Sequence, residues 1–456
     1  MSDNATLVHL TTLGCARNDA DSEQLAGRLI DAGFDLTPDP ASADIVLVNT
    51  CGFIDAAKKD SIDALLAAAD RSAHVVAVGC LAERYGRDLA AALPEVAVLG
   101  FADYEEIGAR LRDMLVAPDE PVAPGKVAGG GHPDATPPSS GGGVSTATPW
   151  RRRRLETGPY APLKIASGCD RRCAFCAIPG IRGKYRSRAI EEIVDEARWL
   201  VDQGVREVML VSENSSSYGK DLGSYNALET LLGRLAAIEG LDWVRVSYLQ
   251  PAEIRLSLLD AIASTPKVVP YFDLSFQHAS GPVLKRMRRF GDAESFLTLL
   301  AKVRARSPQA GVRSSFIVGF PGETDRDVAV LHSFLESAGL DAIGVFAYSD
   351  EEGTSAHEMH GHLDADIIAA RYSATLDLAT WLTESRAAER VGELVQVLVE
   401  DTADGVIGRA AHQGPEVDGV TTLTCPNIPQ PRVGDLIWAQ VVDTDGVDLI
   451  AEPRVD

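Results

Sequence analysis

One segment of the chain, residues 117–149, cannot join a folded core, and it divides the rest into separate folding units. The segment is rich in proline, glycine and serine and has almost no large apolar side chains. Because this composition buries too little apolar surface to offset the loss of chain entropy, it predicts a flexible linker. We extend the linker to 117–154, so that it ends in four consecutive arginines, which we interpret as a solvated run of charge.

Before the linker, residues 6–116 alternate apolar runs with helical patterns. The runs "LVHLTTLGC", "DIVLVNTC" and "HVVAVGC" are typical of buried parallel strands. The segments between them, "DADSEQLAGRLIDAG" and "DAAKKDSIDALLAAAD", have the pattern of helices. This order predicts an open parallel α/β sheet as the N-terminal domain.

After the linker, residues 155–388 contain six apolar runs separated by helical segments. The runs are "PLKIAS", "EVMLVS", "DWVRVSYL", "YFDLSF", "VRSSFIVGF" and "DAIGVFAY". One intervening segment, "AIEEIVDEARWLVDQG", has apolar residues at helical spacing and ends in a glycine. Six such units predict a partial (βα)6 barrel, built by the same logic as the full eightfold barrel.

The tail, residues 389–456, changes character again. Short β runs, "ELVQVLVED", "GVIGRAA", "LIWAQVVDT" and "VDLIAEP", lie between glycine and aspartate turns and predict a small all-β barrel. The predicted fold class is therefore α/β multidomain, with an open parallel sheet, a partial barrel and a small C-terminal barrel.

Three cysteines follow the first barrel strand in the spacing C-x-x-x-C-x-x-C: Cys169, Cys173 and Cys176. The active site of such barrels lies at this end of the strands. Structural zinc sites need a fourth Cys or His, and no second pair lies nearby in the sequence, although zinc remains an alternative. A 4Fe–4S cluster held by three thiolates would leave one iron open to another ligand. An open position is typical of a catalytic metal site.

Three further cysteines end the three N-terminal strands: Cys15, Cys51 and Cys80. The carboxyl ends of parallel strands meet at one edge of a sheet, where open α/β folds bind ligands. The three thiols could therefore surround one metal cluster, or each could be an isolated buried cysteine.

The barrel motif resembles the signature of the radical S-adenosylmethionine (SAM) superfamily. The segments "TLGCARNDADSE", "VNTCGFIDAAKKDSID" and "AVGCLAERY" resemble the N-terminal domain of the methylthiotransferase family within it, and the tail resembles its TRAM domain. The resemblance covers nearly the whole chain apart from the linker. It implies two 4Fe–4S clusters, one on each set of three cysteines, with SAM chelated to the open iron of the barrel cluster.

The resemblance also implies SAM-binding positions in three segments. "SENSSSYG" supplies Glu213 and Asn214, although the family more often has Gln-Asp there, and "SFQHAS" supplies Gln277. "FIVGFPGET" supplies Gly319, Gly322 and Glu323, which can equally be interpreted as a Pro-Gly turn that opens a helix.

"KIASGCDRRCAFCAIPGIRGKYRSR" resembles the branch of the family that modifies small-subunit ribosomal protein S-twelve. The implied reaction replaces a C–H bond on the β-carbon of an aspartate with a methylthio group. One SAM supplies the methyl group, and a second SAM supplies the radical that abstracts hydrogen. Two alternatives remain: a methylthiotransferase acting on a tRNA adenosine, and a zinc- or cluster-binding module without catalysis.

The charge of the chain bears on its partners. The net charge is −23, and residues 389–456 carry four arginines against thirteen acidic residues. Such a tail is a poor phosphate binder but fits a basic ribosomal protein, so we expect no strong nucleic-acid binding. No apolar stretch reaches 18 residues and no signal peptide is visible, so we expect a cytoplasmic protein without a membrane span. We also expect a monomer that receives electrons from a low-potential donor.

Overall fold

The computed structural model describes residues 6–71, 74–116, 152–425 and 429–454. Almost all of the predicted linker, residues 117–151, lies outside these described residues, so its flexibility stays a prediction.

The N-terminal domain is the predicted parallel sheet with helices on both faces. Its five strands lie in the order β2-β1-β3-β4-β5, and every pair is parallel. The three apolar runs are three of these strands, and two shorter strands extend the sheet at its edges. β3 is buried throughout, as expected for a strand covered on both faces. The elements are β1 (Leu7–Thr12), α1 (Ala16–Asp31), β2 (Asp35–Leu36), β3 (Ile45–Thr50), α2 (Asp55–Ala69), β4 (His74–Gly79), α3 (Cys80–Ala92), β5 (Val96–Val98) and α4 (Ile107–Val116).

The central domain contains all six predicted barrel strands. They form two parallel sheets of three, β6-β9-β10 and β11-β12-β13, which isolated bridges at Val244–Val268 and Leu249–Leu274 join. The elements are β6 (Tyr160–Lys164), β7 (Ala166–Ser167), α5 (Ile178–Arg182), β8 (Arg186–Ser187), α6 (Ile190–Asp202), β9 (Glu207–Val211), α7 (Ala227–Ala236), β10 (Trp243–Val246), α8 (Leu256–Ser264), β11 (Tyr271–Asp273), α9 (Gly281–Arg286), α10 (Ala293–Arg306), β12 (Gly311–Val318), α11 (Asp325–Ala338), β13 (Ala342–Ala347) and α12 (Ala365–Ala388).

The C-terminal domain is a closed barrel of five strands in the order β14-β15-β16-β18-β17. Four of them match the predicted runs. The fifth, β16, has only three residues and pairs in parallel with β18, so no local pattern announces it. The strands are β14 (Leu394–Asp401), β15 (Val406–Ala410), β16 (Thr421–Leu423), β17 (Leu436–Asp445) and β18 (Asp448–Pro453).

The C-terminal barrel packs against the end of the central barrel where its strands begin. Glu416 accepts a hydrogen bond from the hydroxyl of Tyr160, the first residue of β6, at 2.8 Å. Asp418 accepts one from the hydroxyl of Tyr271, the first residue of β11, at 2.5 Å. The C-terminal barrel thus closes the amino end of the central strands, opposite the end where the cysteine loop follows them.

The arginine run before the central barrel is not wholly solvated, which corrects the sequence-based interpretation. The side chain of Arg152 is fully buried and contacts Glu23 at 2.5 Å and Glu196 at 2.8 Å. Arg154 also contacts Glu23, at 3.4 Å. A run of four cations looks solvated in sequence because its partners lie far along the chain. Here they join α1 to α6, and so the N-terminal domain to the barrel.

Within the described parts of the chain, no helix combines the length and apolar character needed to cross a bilayer.

Candidate functional site

The cysteines of the N-terminal domain, which we call the N-terminal triad (Cys15, Cys51 and Cys80), lie at the carboxyl edge of its sheet. Cys15 directly precedes α1, Cys51 follows β3, and Cys80 begins α3. Gly14 has a φ of +110°, and a Cβ built on it would stand only 3.2 Å from the Cys51 Sγ. A side chain at Gly14 would therefore push Cys51 away. Strand order brings the three thiols together as expected; their binding of a cluster stays a prediction.

The barrel triad (Cys169, Cys173 and Cys176) lies on the loop between β7 and α5. The Cys169 N–H donates to the carbonyl of Gly183 at 3.0 Å, and the Cys176 N–H donates to the carbonyl of Cys173 at 3.2 Å. Gly168 has a φ of +83°, and any side chain there would collide with the carbonyl of Lys184. The turn before the triad therefore requires glycine, because an L-residue would be strained and would clash.

The triad loop is also fixed from the far side of the barrel. Ala174 is fully buried in a cluster that includes Met287 and Phe320, and its N–H donates to the carbonyl of Met287 at 3.0 Å. Arg289 directs its Nη1 toward the Cys173 Sγ at 3.6 Å. Segments from both halves of the central barrel thus hold the loop at the carboxyl end of the strands.

Arg17, in the first turn of α1, reaches from the N-terminal domain toward the barrel. Its Nε donates to the Cys15 Sγ at 3.4 Å, and its Nη1 lies 3.5 Å from the carbonyl oxygen of Ser212, just after β9. Its guanidinium lies over the ring of Tyr248, 4.7 Å from the centroid. Tyr248 has a φ of +61°, a strained conformation for a non-glycine residue, which is typical of functional sites.

Arg182, the last residue of α5, reaches in the opposite direction, from the barrel into the N-terminal domain. Its Nη2 donates to the Cys80 Sγ at 3.5 Å and to the Asn18 Oδ1 at 2.9 Å. Its Nη1 donates to Asp21 at 2.9 Å. The two arginines therefore cross the domain boundary reciprocally, and each ends on a thiol of the N-terminal triad.

Glu213 lies between the two triads. One of its carboxylate oxygens is 4.0 Å from the Arg17 Nη1 and 3.5 Å from the Arg182 Nε. Its negative charge also helps to raise the pKa of the Cys169 thiol, for which burial is the larger cause. Neither carboxylate oxygen accepts a hydrogen bond from the described residues, although both are buried. A buried carboxylate without hydrogen bonds is costly, so it indicates a ligand that would complete the site.

The thiols differ in their acidity. Burial raises the pKa of Cys51 and of Cys80, and it raises the pKa of Cys176 to about 12. Burial acts on Cys15 as well, but the charge and hydrogen bond of Arg17, with the charge of Arg182, lower its pKa. Buried thiols of this kind become thiolates when a metal supplies the compensating positive charge.

The donor set fits iron–sulfur clusters better than single metal ions. In the described residues, no three His, Cys, Asp or Glu side chains converge closely enough to share one ion. A cubic cluster places each thiolate on a different iron, so its thiolates stand farther apart than the ligands of one zinc ion. Unpaired buried oxygens of Glu213, Asn214 and Gln250 leave polar groups available for a further ligand.

Of the other predicted SAM contacts, Asn214 and Gln277 follow barrel strands. Asn214 follows β9, and its Nδ2 donates to Ser217 at 2.9 Å and to Glu253 at 3.0 Å, which leaves its buried Oδ1 without a hydrogen bond. Gln277 follows β11 and has a φ of +72°, with its backbone paired to β12. Glu213 and Asn214 thus offer unsatisfied oxygens, and the role of Gln277 stays a prediction.

Gly319, Gly322 and Glu323 form the turn between β12 and α11. The Glu323 carboxylate accepts a hydrogen bond from the Gly319 N–H at 3.0 Å, forms an ion pair with Arg371 at 2.9 Å and lies 3.3 Å from the His278 Nε2. These contacts hold the carboxylate within the protein and stabilise the turn. Contact of this turn with SAM stays a prediction.

Sequence reasoning missed Arg17, Arg182 and Tyr248. Arg17 stands two residues after Cys15, so its proximity to that thiol had a local signal. Arg182 approaches Cys80 from 102 residues away along the chain, and no spacing rule connects the two. Cationic residues that stand near cysteines in both segments were the only available clue.

Comparison with known protein families agrees with this three-part organisation. Residues 7–100 match the uncharacterized protein family UPF0004, residues 163–335 match the radical SAM superfamily, and residues 391–453 match the TRAM domain.

Curated relatives match over nearly the full length. A protein of Cutibacterium acnes is 57% identical, over 99% of this chain and 99% of its own, and is named ribosomal protein uS12 methylthiotransferase RimO. A protein of Nocardioides sp. with the same name is 57% identical, over 98% of this chain and 97% of its own.

A solved structure shares the fold at low sequence identity. The radical SAM methyltransferase TsrM of Kitasatospora setae, solved with cobalamin and a [4Fe-4S] cluster, superposes with a TM-score of 0.54 at 16% identity. The match covers 75% of this chain and 72% of that chain. The similarity concerns the fold alone.

Proposed function

This chain belongs to the RimO family of ribosomal protein uS12 methylthiotransferases, and from that premise we propose that it adds a methylthio group to the β-carbon of an aspartate in uS12. It is a SAM-using enzyme with a radical SAM domain. The catalytic unit is the whole arrangement of two triads, because each domain supplies one of them.

The residues divide into two cofactor sites. The N-terminal triad would hold an auxiliary 4Fe–4S cluster, and the barrel triad a second cluster that chelates SAM. When bound, these groups supply the transferable sulfur and the radical that abstracts hydrogen from the substrate. Glu213 and Asn214, whose buried oxygens lack hydrogen bonds, would orient SAM, and Gln277 and the turn from Gly319 to Glu323 would line the same end of the barrel.

The observation that carries the proposal is the position of Glu213. It contacts Arg17 of the N-terminal domain and Arg182 of the barrel, and these arginines contact Cys15 and Cys80. It also interacts electrostatically with Cys169. One side chain therefore lies between the two triads, which a transfer between two cofactor sites requires. An interaction module without catalysis has no such requirement.

The surface charge favours a protein substrate over tRNA. Of the four arginines in the C-terminal barrel domain, Arg390 and Arg409 are buried in ion pairs with Asp341 and Glu207. Their charge is therefore not available to phosphates. Acidic side chains such as Asp443 and Asp445 remain exposed. Such a surface repels a nucleic-acid backbone and attracts a basic polypeptide.

The direct test is mass spectrometry of uS12 incubated anaerobically with the reconstituted enzyme, SAM, sulfide and a reductant. We expect one aspartate to gain the mass of a methylthio group in place of hydrogen. Unmodified uS12 together with methylthiolated adenosine in a parallel tRNA reaction would favour the alternative substrate. We also propose that the enzyme acts in the cytoplasm as a monomer and receives electrons from a low-potential donor.

A further inference from the structure

Two buried guanidinium groups have hydrogen bonds that end on the thiols of the N-terminal triad. The side chain of Arg17 is 17% exposed, and that of Arg182 is 3% exposed. Both lie on the side of the triad that faces the barrel, because both also contact Glu213, just after β9. The N-terminal triad is therefore bordered by positive charge toward the barrel triad.

The neighbouring acidic groups do not cancel this charge. Asp21 is shared between Arg182, at 2.9 Å, and Lys164, at 2.6 Å. Glu213 is shared between Arg17 and Arg182 and accepts a hydrogen bond from neither. Three cations thus face two carboxylates here, and burial strengthens the field of the excess charge.

An anion that approaches three metal-bound thiolates meets their negative charge. Positive groups directed at the same place remove this repulsion, and hydrogen bonds to a charged partner are about twice as strong as neutral ones. Both arginines already place an N–H within hydrogen-bonding distance of sulfur, at 3.4 and 3.5 Å. The geometry is suited to sulfur acceptors.

We propose that Arg17 and Arg182 form a binding site for a sulfur anion, a hydrosulfide or an alkanethiolate, beside the N-terminal triad. The inference rests on the proposed function, since it assumes that this triad holds a cluster with an open iron. The arginines act as positioning residues: they hold the anion on the side of the triad from which it can reach the barrel.

A purely structural role accounts less well for these contacts. Other buried ion pairs already join the domains, among them Lys164 with Asp21 and Arg152 with Glu23. Hydrogen bonds from guanidinium to thiol add little to such a junction, whereas hydrogen bonds to cluster sulfurs influence both ligand binding and reduction potential.

The test isolates the N-terminal cluster in the full-length chain by changing Cys169, Cys173 and Cys176 to Ala. The reconstituted protein is reduced and titrated with sodium methanethiolate while its electron paramagnetic resonance spectrum is recorded. We expect Arg17→Gln and Arg182→Gln each to weaken methanethiolate binding about tenfold and to make the reduction potential more negative. Arg17→Lys and Arg182→Lys should recover part of the affinity, because they keep the charge but lose the planar fork of donors.

Arg84→Gln is the matched control. Arg84 lies beside the same triad but donates to the carbonyl of Gly52, at 3.1 Å, and to Glu351. Its loss removes one positive charge without removing a hydrogen bond to a thiol, so it should change the affinity less than twofold.

Equal methanethiolate affinity in the parent protein and in both Gln variants, at equal iron content, would overturn the inference. A tenfold loss in SAM binding by Arg17→Gln in the chain with all six cysteines would also overturn it, because the arginines would then serve SAM. Absence of iron from the parent protein is a different result: it would show that the N-terminal triad holds no cluster, and that the proposed function fails.

Discussion

Arg409 of the C-terminal barrel and Glu207, the first residue of β9, form an ion pair of 2.6 Å in which both side chains are at most 2% exposed. Arg245 contacts the other oxygen of Glu207 at the same distance. Burial alone would raise the pKa of Glu207, but the two arginines together hold it below its usual range. The C-terminal barrel therefore belongs to the core of the enzyme as well as offering a surface to a partner.

Arg409→Ala should destabilise the protein by about 3–5 kcal/mol, because it leaves Glu207 and Glu400 with an uncompensated buried charge. Urea unfolding of the anaerobic enzyme measures the loss. Arg454→Ala, at an exposed arginine of the same domain, is the control and should change stability by less than about 0.5 kcal/mol. Similar stability of the two variants would show that the C-terminal barrel is only loosely attached.

Iron analysis tests the two cofactor sites. The reconstituted protein should hold about eight irons with matching acid-labile sulfide, and changing all three cysteines of the barrel triad to Ala should leave about four. The same count is expected after the N-terminal triad is changed. Stoichiometric zinc without sulfide would contradict both assignments.

The two triads should also separate in function. Cys51→Ala should still produce deoxyadenosine from SAM, because the barrel triad is intact, but it should transfer no methylthio group to uS12. Cys173→Ala should abolish both reactions. Chromatography of the nucleoside and mass spectrometry of uS12 measure the two outcomes, and modified uS12 from the Cys51 variant would be inconsistent with the assigned division.

Charge reversal tests the docking of the substrate. Asp443 and Asp445 are exposed on β17, so changing both to Lys should lower the rate on uS12, with a smaller effect at high salt. Asp448 is left unchanged because its carboxylate accepts a hydrogen bond from the Val420 N–H at 2.8 Å.

The control for this experiment makes the same change of net charge at Asp60 and Asp63, exposed residues of α2. It should affect uS12 less than the β17 variant does. A short peptide that reaches only the active site should be modified equally by all three proteins. Faster reaction of the β17 variant on tRNA, with no loss on uS12, would reverse the choice of substrate.

Asp19 gives a pH-dependent prediction. Burial first, and then the nearby carboxylates of Glu416 and Glu23, raise its pKa to about 7. A raised carboxyl pKa means that its favourable contribution exists at acid pH and is lost as pH rises through 7. Asp19→Asn should therefore stabilise the protein by about 1 kcal/mol at pH 8, allowing for solvent screening, and by less at pH 5. Urea unfolding at the two pH values measures the difference, and an equal effect at both would refute the prediction.

The amino-acid sequence determined the local elements and the sets of chemical groups. Alternation of apolar runs and helical segments identified the three main N-terminal strands and all six barrel strands, because burial on both faces gives parallel strands a continuous apolar pattern. The strand ends placed the cysteines of each triad at one edge. The three-residue strand β16 was missed, since it depends on pairing with β18 rather than on its own residues.

Only the tertiary structure decided how the domains meet. Arg152 looked solvated in sequence, yet it is buried against Glu23 and Glu196, which lie 129 and 44 residues away. The exchange of Arg17 and Arg182 across the boundary left no periodic signal either. Ion pairs between distant segments depend on the relative placement of whole domains, and a charged residue has the same local sequence pattern whether its partner is water or a buried carboxylate.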